Sequence, residues 1–201
     1  MGKIYTLPDK ERIEGAAGHV PMYMRPCLEP TIVVWEEALT KEECEEIVEL
    51  GSKIFPHSVH RCNAETREIP FVALNGLDIF KKILNWTRAT NGMYWNYKID
   101  DNAMAWMQTY YGNSDGAYSL HRDAAVGQRR KLTTVVILSD PNEYLGGELI
   151  FKATPGEEEY KPKQLRGTLV TFPFWLLHEV TPLRMGIRRS LNVGFWGDRG
   201  D

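Results

Sequence analysis

From Ala103 onward the chain is a series of short strand-like runs cut by turn-forming clusters: Gly112 to Gly116, Pro141-Asn142, Gly146-Gly147, Pro155-Gly156 and Pro182 to Gly186. Glycine supplies backbone conformations that other residues avoid, and proline interrupts helices and sheet ladders alike. Punctuation this dense predicts an all-β region. About eight strands of typical length fit between Ala103 and Trp196.

The first half reads differently. Met1 to Pro30 is rich in proline, glycine and charge and is expected to form an N-terminal arm ahead of one domain, 31–201. Thr31 to Trp35 is a short β-branched strand. Thr40 to Leu50 predicts a helix with a capping box, in which the Thr40 hydroxyl and the Glu43 carboxylate satisfy free backbone donors. Cys44, Ile47, Val48 and Gly51 form its buried stripe, and Gly51 is also the expected stop. A second helix is expected over Leu77 to Arg88, with Ile79, Phe80, Ile83, Leu84 and Trp86 on its apolar face. Between the helices, His57 to Asn75 is long and carries little pattern, which reads as a lid or binding loop.

Chemistry concentrates in the β-rich half. His121-Arg122-Asp123 closes the strand-like segment Ala117 to Leu120, and residues two apart on a strand share a face. His121 and Asp123 can therefore aim at one ion. His178, in the apolar run Phe172 to Val180, supplies a third ligand. Two imidazoles and one carboxylate on one side of a metal leave the other positions open, as in non-haem Fe(II) sites. Each residue alone has a plain reading: a surface histidine, a turn aspartate, a core histidine. Their joint occurrence, in order and within strands, favours the metal site. Arg188 opens a further segment whose alternation aims Arg188, Ser190 and Asn192 at one face. A guanidinium matches a carboxylate, and a hydroxyl adds a donor. Together they suit the far end of 2-oxoglutarate. Arg189 is the competing candidate but faces the other way, and Arg184 reads as a turn residue.

The segment from Met107 to Trp196 resembles the prolyl-4-hydroxylase-like 2-oxoglutarate/Fe(II) oxygenases, and within them the PKHD-type hydroxylases. The resemblance rests on Gln108, Tyr111, Tyr118 to Asp123, Arg130 to Thr133, Leu138 to Pro141, Tyr144 to Leu149, Arg166 to Thr168, Phe172-Pro173, His178 to Pro182 and Gly186 to Leu191. It implies that His121, Asp123 and His178 bind iron, that Arg188 binds 2-oxoglutarate, and that Tyr111 lies near the same pocket. Leu138 stands where some relatives place a second tyrosine, and Phe174 where a small residue follows Phe-Pro. The expected architecture is mainly β: a double-stranded β-helix, the cupin-like jelly-roll, with its core at about 103–196 and flanking N-terminal α-helices. The implied activity is hydroxylation of a C–H bond using O2, with succinate and CO2 as co-products and ascorbate as a further small molecule. A prolyl residue in a polypeptide is the implied target. Another residue, a small molecule or a nucleobase is the alternative, as is a cupin-like metal-binding module without turnover.

Composition bounds the partners. Twenty-four basic and 27 acidic side chains give a net charge of −3, which offers no general attraction to nucleic acid. Arg129-Arg130-Lys131 reads as a solvated turn. Met1 to Val20 lacks an apolar core, and no run is long enough to span a bilayer, so the expectation is a cytoplasmic protein without a signal peptide. Cys27, Cys44 and Cys62 have neither C-x-x-C spacing nor disulfide density and read as free thiols; zinc at His57 and His60 lacks partner ligands.

Overall fold

The computed structural model describes residues 3–5, 32–59, 62–69, 77–123, 129–152 and 159–198. Its strands are β1 (Lys3–Tyr5), β2 (Ile32–Trp35), β3 (His57–Val59), β4 (Cys62–Ile69), β5 (Ile99–Tyr111), β6 (Tyr118–His121), β7 (Arg130–Ile137), β8 (Tyr144–Gly146), β9 (Leu149–Lys152), β10 (Glu159–Tyr160), β11 (Leu169–Pro173), β12 (Leu177–Val180) and β13 (Leu183–Gly197). Among the described residues two helices, α1 (Lys41–Ser52) and α2 (Asp78–Tyr94), precede β5. All pairings are antiparallel, in the order β1-β2-β11-β7-β13-β5-β4-β6-β12-β9-β10, with β3 beside β4 and β8 beside β13. The sheet curls on itself as a jelly-roll, which is the expected architecture. Of the expected N-terminal arm, Lys3–Tyr5 pairs with β2, and the remainder lies outside the described residues.

Alternation sorts the side chains between two layers. On β13, Leu191, Val193 and Phe195 join Cys44 and Ile47 of α1 and Phe80 and Ile83 of α2 in one apolar cluster. Arg188, Ser190 and Asn192 turn to the opposite side and line a cavity. β2 and β11 divide the same way: Val33 and Leu169 pack with the helices, while Ile32, Val34, Val170 and Phe172 form a second cluster inside the curl. Both faces of the central strands are thus buried, and the helices close the outer one.

The capping box of α1 forms as expected, with Thr40 N donating to Glu43 at 2.7 Å and Glu43 N to Thr40 at 3.2 Å. Gly51 does not stop this helix, which runs to Ser52. It is a contact point instead: a Cβ there would lie 2.5 Å from the Met107 sulfur. α2 extends six residues past the expected end at Arg88. Local propensity in Thr90-Asn91-Gly92 is poor, but tertiary partners hold it: Trp35 Nε1 donates to Thr90 at 2.9 Å, and Asn91 bonds the Tyr97 backbone twice, at 2.9 and 3.0 Å.

Two expectations are corrected. Much of the supposed patternless loop over His57 to Asn75 is sheet, because β4 pairs with β5 from Glu65↔Thr109 to Ile69↔Ala105. Its residues are polar on both faces, so no apolar alternation announces it; backbone pairing with β5 creates it. Residues 60–61 and 70–76 lie outside the described residues. The Pro182 to Gly186 bend is mostly the start of β13, whose Leu183, Met185 and Gly186 pair with β8, so Arg184 lies on a strand.

Candidate active site

β6 and β12 lie side by side with His121 directly opposite His178. Asp123 follows two residues beyond β6, and its backbone N–H donates to Phe174 O at 3.1 Å, which ties it to the turn between β11 and β12. Asp123 Oδ1 then sits 3.6 Å from His121 Nε2 and 3.7 Å from His178 Nε2. One ligand atom from each residue falls within 4.8 Å of the others, a cluster that could hold a metal ion.

The imidazoles are set for that task. His121 Nδ1 bonds Ser119 O at 2.8 Å and His178 Nδ1 bonds Leu176 O at 2.9 Å. A carbonyl only accepts, so each Nδ1 carries the proton and each Nε2 lone pair faces the cluster. Burial pushes the His178 imidazole down, to about 4, against the opposing pull of Asp123. A neutral imidazole is the form that binds metal. Burial alone would raise the Asp123 carboxyl; the Arg130 guanidinium, the neighbouring imidazoles and the hydrogen bond from Thr133 outweigh it and hold the group well below the usual carboxylate range. The donor set of two imidazole nitrogens and one carboxylate fits a first-row divalent metal with open positions.

The cluster lines a cavity of about 270 Å³ whose walls also include Thr66, Trp106, Gln108, Arg188, Ser190 and Asn192. Arg188 is fully buried and, among the described residues, has no carboxylate partner. Its guanidinium reaches only Ser190 Oγ at 3.5 Å and Gln164 Oε1 at 3.4 Å, and it lies 5.3 Å from the centre of the Tyr110 ring. Gly147, at φ +65°, makes room for it: a Cβ there would meet Arg188 Cδ at 2.9 Å. A buried cation without a counter-charge is costly unless an anion arrives. Gln108 Oε1 accepts from Tyr110 at 2.7 Å and Asn192 at 2.6 Å, fixing the neighbouring wall.

The structure therefore brings His121, Asp123, His178, Arg188 and Ser190 to one cavity, with Arg189 on the far face of β13 opposite Thr109. Tyr111 is corrected. It does not line the cavity; strand alternation turns Tyr110 inward and Tyr111 outward, beside Glu65 and Arg67. Arg130 is no solvated turn residue. It lies 3.3 Å from Asp123 between the Trp106 and Trp196 rings, at 5.2 and 5.4 Å. Strict alternation from Thr133 would put it on the helix side. A register break between Phe195 and Trp196 redirects it, as bulges do. Thr133, which donates to Asp123, could have been found from alternation on β7. Thr66 and Gln164 carried no local signal.

Residues 105–196 match the model of the 2OG-Fe(II) oxygenase superfamily. A PKHD-type hydroxylase from Pseudomonas putida (strain W619) is 37% identical over 89 residues, which covers 40% of this chain and 38% of that protein. The chain thus matches well under half the length of this curated relative. Among solved structures, a Pseudomonas putida prolyl-4-hydroxylase superposes with a TM-score of 0.68 at 16% identity, covering 84% of this chain and 93% of the other. A prolyl hydroxylase from Trichoplax adhaerens, in complex with a hypoxia inducible factor oxygen degradation domain peptide fragment, gives 0.65 at 17% identity, covering 83% of each chain. Over residues 105–196 the chain is similar to the 2OG-Fe(II) oxygenase superfamily, and within it to PKHD-type hydroxylases.

Proposed function

We propose that this chain is a 2-oxoglutarate- and Fe(II)-dependent dioxygenase that hydroxylates a C–H bond of a prolyl residue in a polypeptide. In this reading residues 31–201 act as one catalytic unit. His121, Asp123 and His178 hold the iron, and Arg188 with Ser190 takes the distal carboxylate of 2-oxoglutarate. The observation that carries the reading is the fully buried Arg188 guanidinium, without a carboxylate partner among the described residues, in the same cavity as the His-Asp-His cluster. A dicarboxylate that chelates a metal at one end and meets a guanidinium at the other answers both features.

Bound iron and the ketoacid supply the oxidising chemistry, with succinate and CO2 as products. The chain supplies geometry. Backbone carbonyls hold each histidine in one tautomer. Thr133 and Arg130 fix the Asp123 carboxylate. Val135, Leu149 and Val180 give the cavity apolar walls that limit water around the reacting atoms. The polypeptide target is supported by the PKHD-type relative and by the prolyl hydroxylases that share the fold.

The test is succinate formation with Fe(II), 2-oxoglutarate and O2 over a panel of proline-containing peptides, free amino acids and small metabolites. Peptides should stimulate turnover, and mass spectrometry should place one added oxygen on a prolyl residue. Stimulation by small metabolites alone would overturn the polypeptide target. No 2-oxoglutarate turnover, coupled or uncoupled, by iron-loaded protein would overturn the dioxygenase reading.

A further inference from the structure

Gln164 lies in the segment between β10 and β11, outside any strand. Its carboxamide is gripped at both ends by one residue of β9: Oε1 accepts from Leu149 N at 3.0 Å, and Nε2 donates to Leu149 O at 3.1 Å. An N–H needs an acceptor and a carbonyl needs a donor, so this grip fixes which end of the amide is oxygen. That same Oε1 is 3.4 Å from Arg188 Nη2. The guanidinium is thus located by a neutral oxygen on one side and by the Tyr110 ring, while Arg188 Nε has no hydrogen-bond partner among the described residues.

We infer that Gln164 is a positioning residue for the distal carboxylate of 2-oxoglutarate, acting through Arg188: a neutral acceptor that orients the guanidinium without neutralising it. The inference rests on the co-substrate reading of Arg188 above. Neutrality is the central property. A glutamate of the same shape would form a buried ion pair with Arg188, where opposite charges attract strongly, and would repel the incoming dianion. It would also set a carboxylate oxygen against Leu149 O. An alanine would leave the charge of Arg188 intact but loosen its orientation.

Binding is measured calorimetrically on the Mn(II)-loaded protein, with 2-oxoglutarate and, separately, oxalate. Oxalate chelates a metal but has no distal carboxylate to reach Arg188. Gln164→Glu should weaken 2-oxoglutarate by about tenfold or more, the scale of a lost charge-assisted contact, and leave oxalate within about twofold. Gln164→Ala should weaken 2-oxoglutarate by about three- to fivefold, the scale of one ordinary hydrogen bond. Arg188→Ala separates the two claims. If it leaves 2-oxoglutarate affinity unchanged, the co-substrate reading fails. If it weakens binding while Gln164→Glu does not, the role of Gln164 fails alone. Equal weakening of both ligands by Gln164→Glu, with a lowered melting temperature, would show a packing role and overturn the inference. Should Gln164→Glu not fold, unchanged 2-oxoglutarate affinity in Gln164→Ala overturns it.

Discussion

The same three strands, β5, β7 and β13, present two buried faces that differ in how their polar groups are treated. On the helix face, Leu132, Val136, Leu191, Val193 and Phe195 pack with α1 and α2. Three threonines there bond one another, with Thr134 Oγ1 2.8 Å from Thr87 and 2.9 Å from Thr171, while Thr109 Oγ1 has no hydrogen-bond partner among the described residues. On the cavity face, the buried Arg130 Nε and Arg188 Nε, with Thr66 Oγ1 on the adjoining β4, have no hydrogen-bond partner among the described residues. Each such atom costs about 1–3 kcal/mol. One face is largely apolar and stabilises the fold; the other carries two guanidinium groups that can serve a ligand. The two faces should therefore respond to mutation in different observables.

The largest effect belongs to the cavity face. Asp123→Ala removes the one anionic member of the cluster and should abolish both Mn(II) binding and 2-oxoglutarate turnover while the far-ultraviolet circular dichroism stays native. Full turnover by this variant with Fe(II), in chloride-free buffer, would break the assignment of the metal ligands. The helix-face counterpart is Phe80→Ala. Phe80 is buried in the cluster under α2, and truncation should cost about 3–5 kcal/mol of unfolding free energy. The folded fraction should bind Mn(II) normally. A Phe80→Ala protein of native stability but weakened metal affinity would invert the comparison.

The cavity face was largely legible from local pattern, because β-strand alternation relates residues two apart. His121 with Asp123, and Arg188 with Ser190, could be placed on common faces without knowing which strands pair. The α1 capping box is local too. What stayed hidden depends on partners distant in sequence. β4 exists through pairing with β5, Arg130 reaches the cavity through a register break against β13, and α2 is lengthened by contacts to Trp35 and Tyr97. Tyr111 shows the converse: resemblance suggested the pocket, whereas alternation, applied from Gln108, would have pointed to Tyr110.

The next effect is a pH dependence that separates the faces. In the metal-free protein, burial holds the His178 imidazole at about 4, below its ordinary 6.5. Between these values the unfolded chain binds a proton that the folded chain does not, so stability falls as pH drops through that window. A difference of about 2.5 pH units corresponds to about 3 kcal/mol. Asp123, held low, adds a loss of the same sign only at still lower pH, below the ordinary carboxylate range. Under the helices the buried Cys44 thiol is pushed up by burial to about 11, far from this window. Denaturant titrations from pH 7 to 4 should therefore show the loss in wild type and a flatter profile in His178→Gln. Equal slopes in the two proteins would remove His178 as the source.

The smallest effects lie one residue apart on β13 and bear most directly on the two faces. Arg188→Met replaces the buried guanidinium with an apolar chain of similar length. It should weaken 2-oxoglutarate binding by about 10- to 100-fold, or 1.5–3 kcal/mol, by removing a charge-assisted contact. The ligand-free protein should be no less stable than wild type, since exchanging a buried unpaired cation for a hydrophobe removes a desolvation cost. Arg189 points the other way, opposite Thr109. Arg189→Ala should change the affinity less than about twofold, the scatter expected of a side chain outside the site. Calorimetry on both Mn(II)-loaded variants decides the matter. If Arg189→Ala is the sensitive one, β13 is out of register by one residue, and every side chain of that strand assigned to one face belongs to the other.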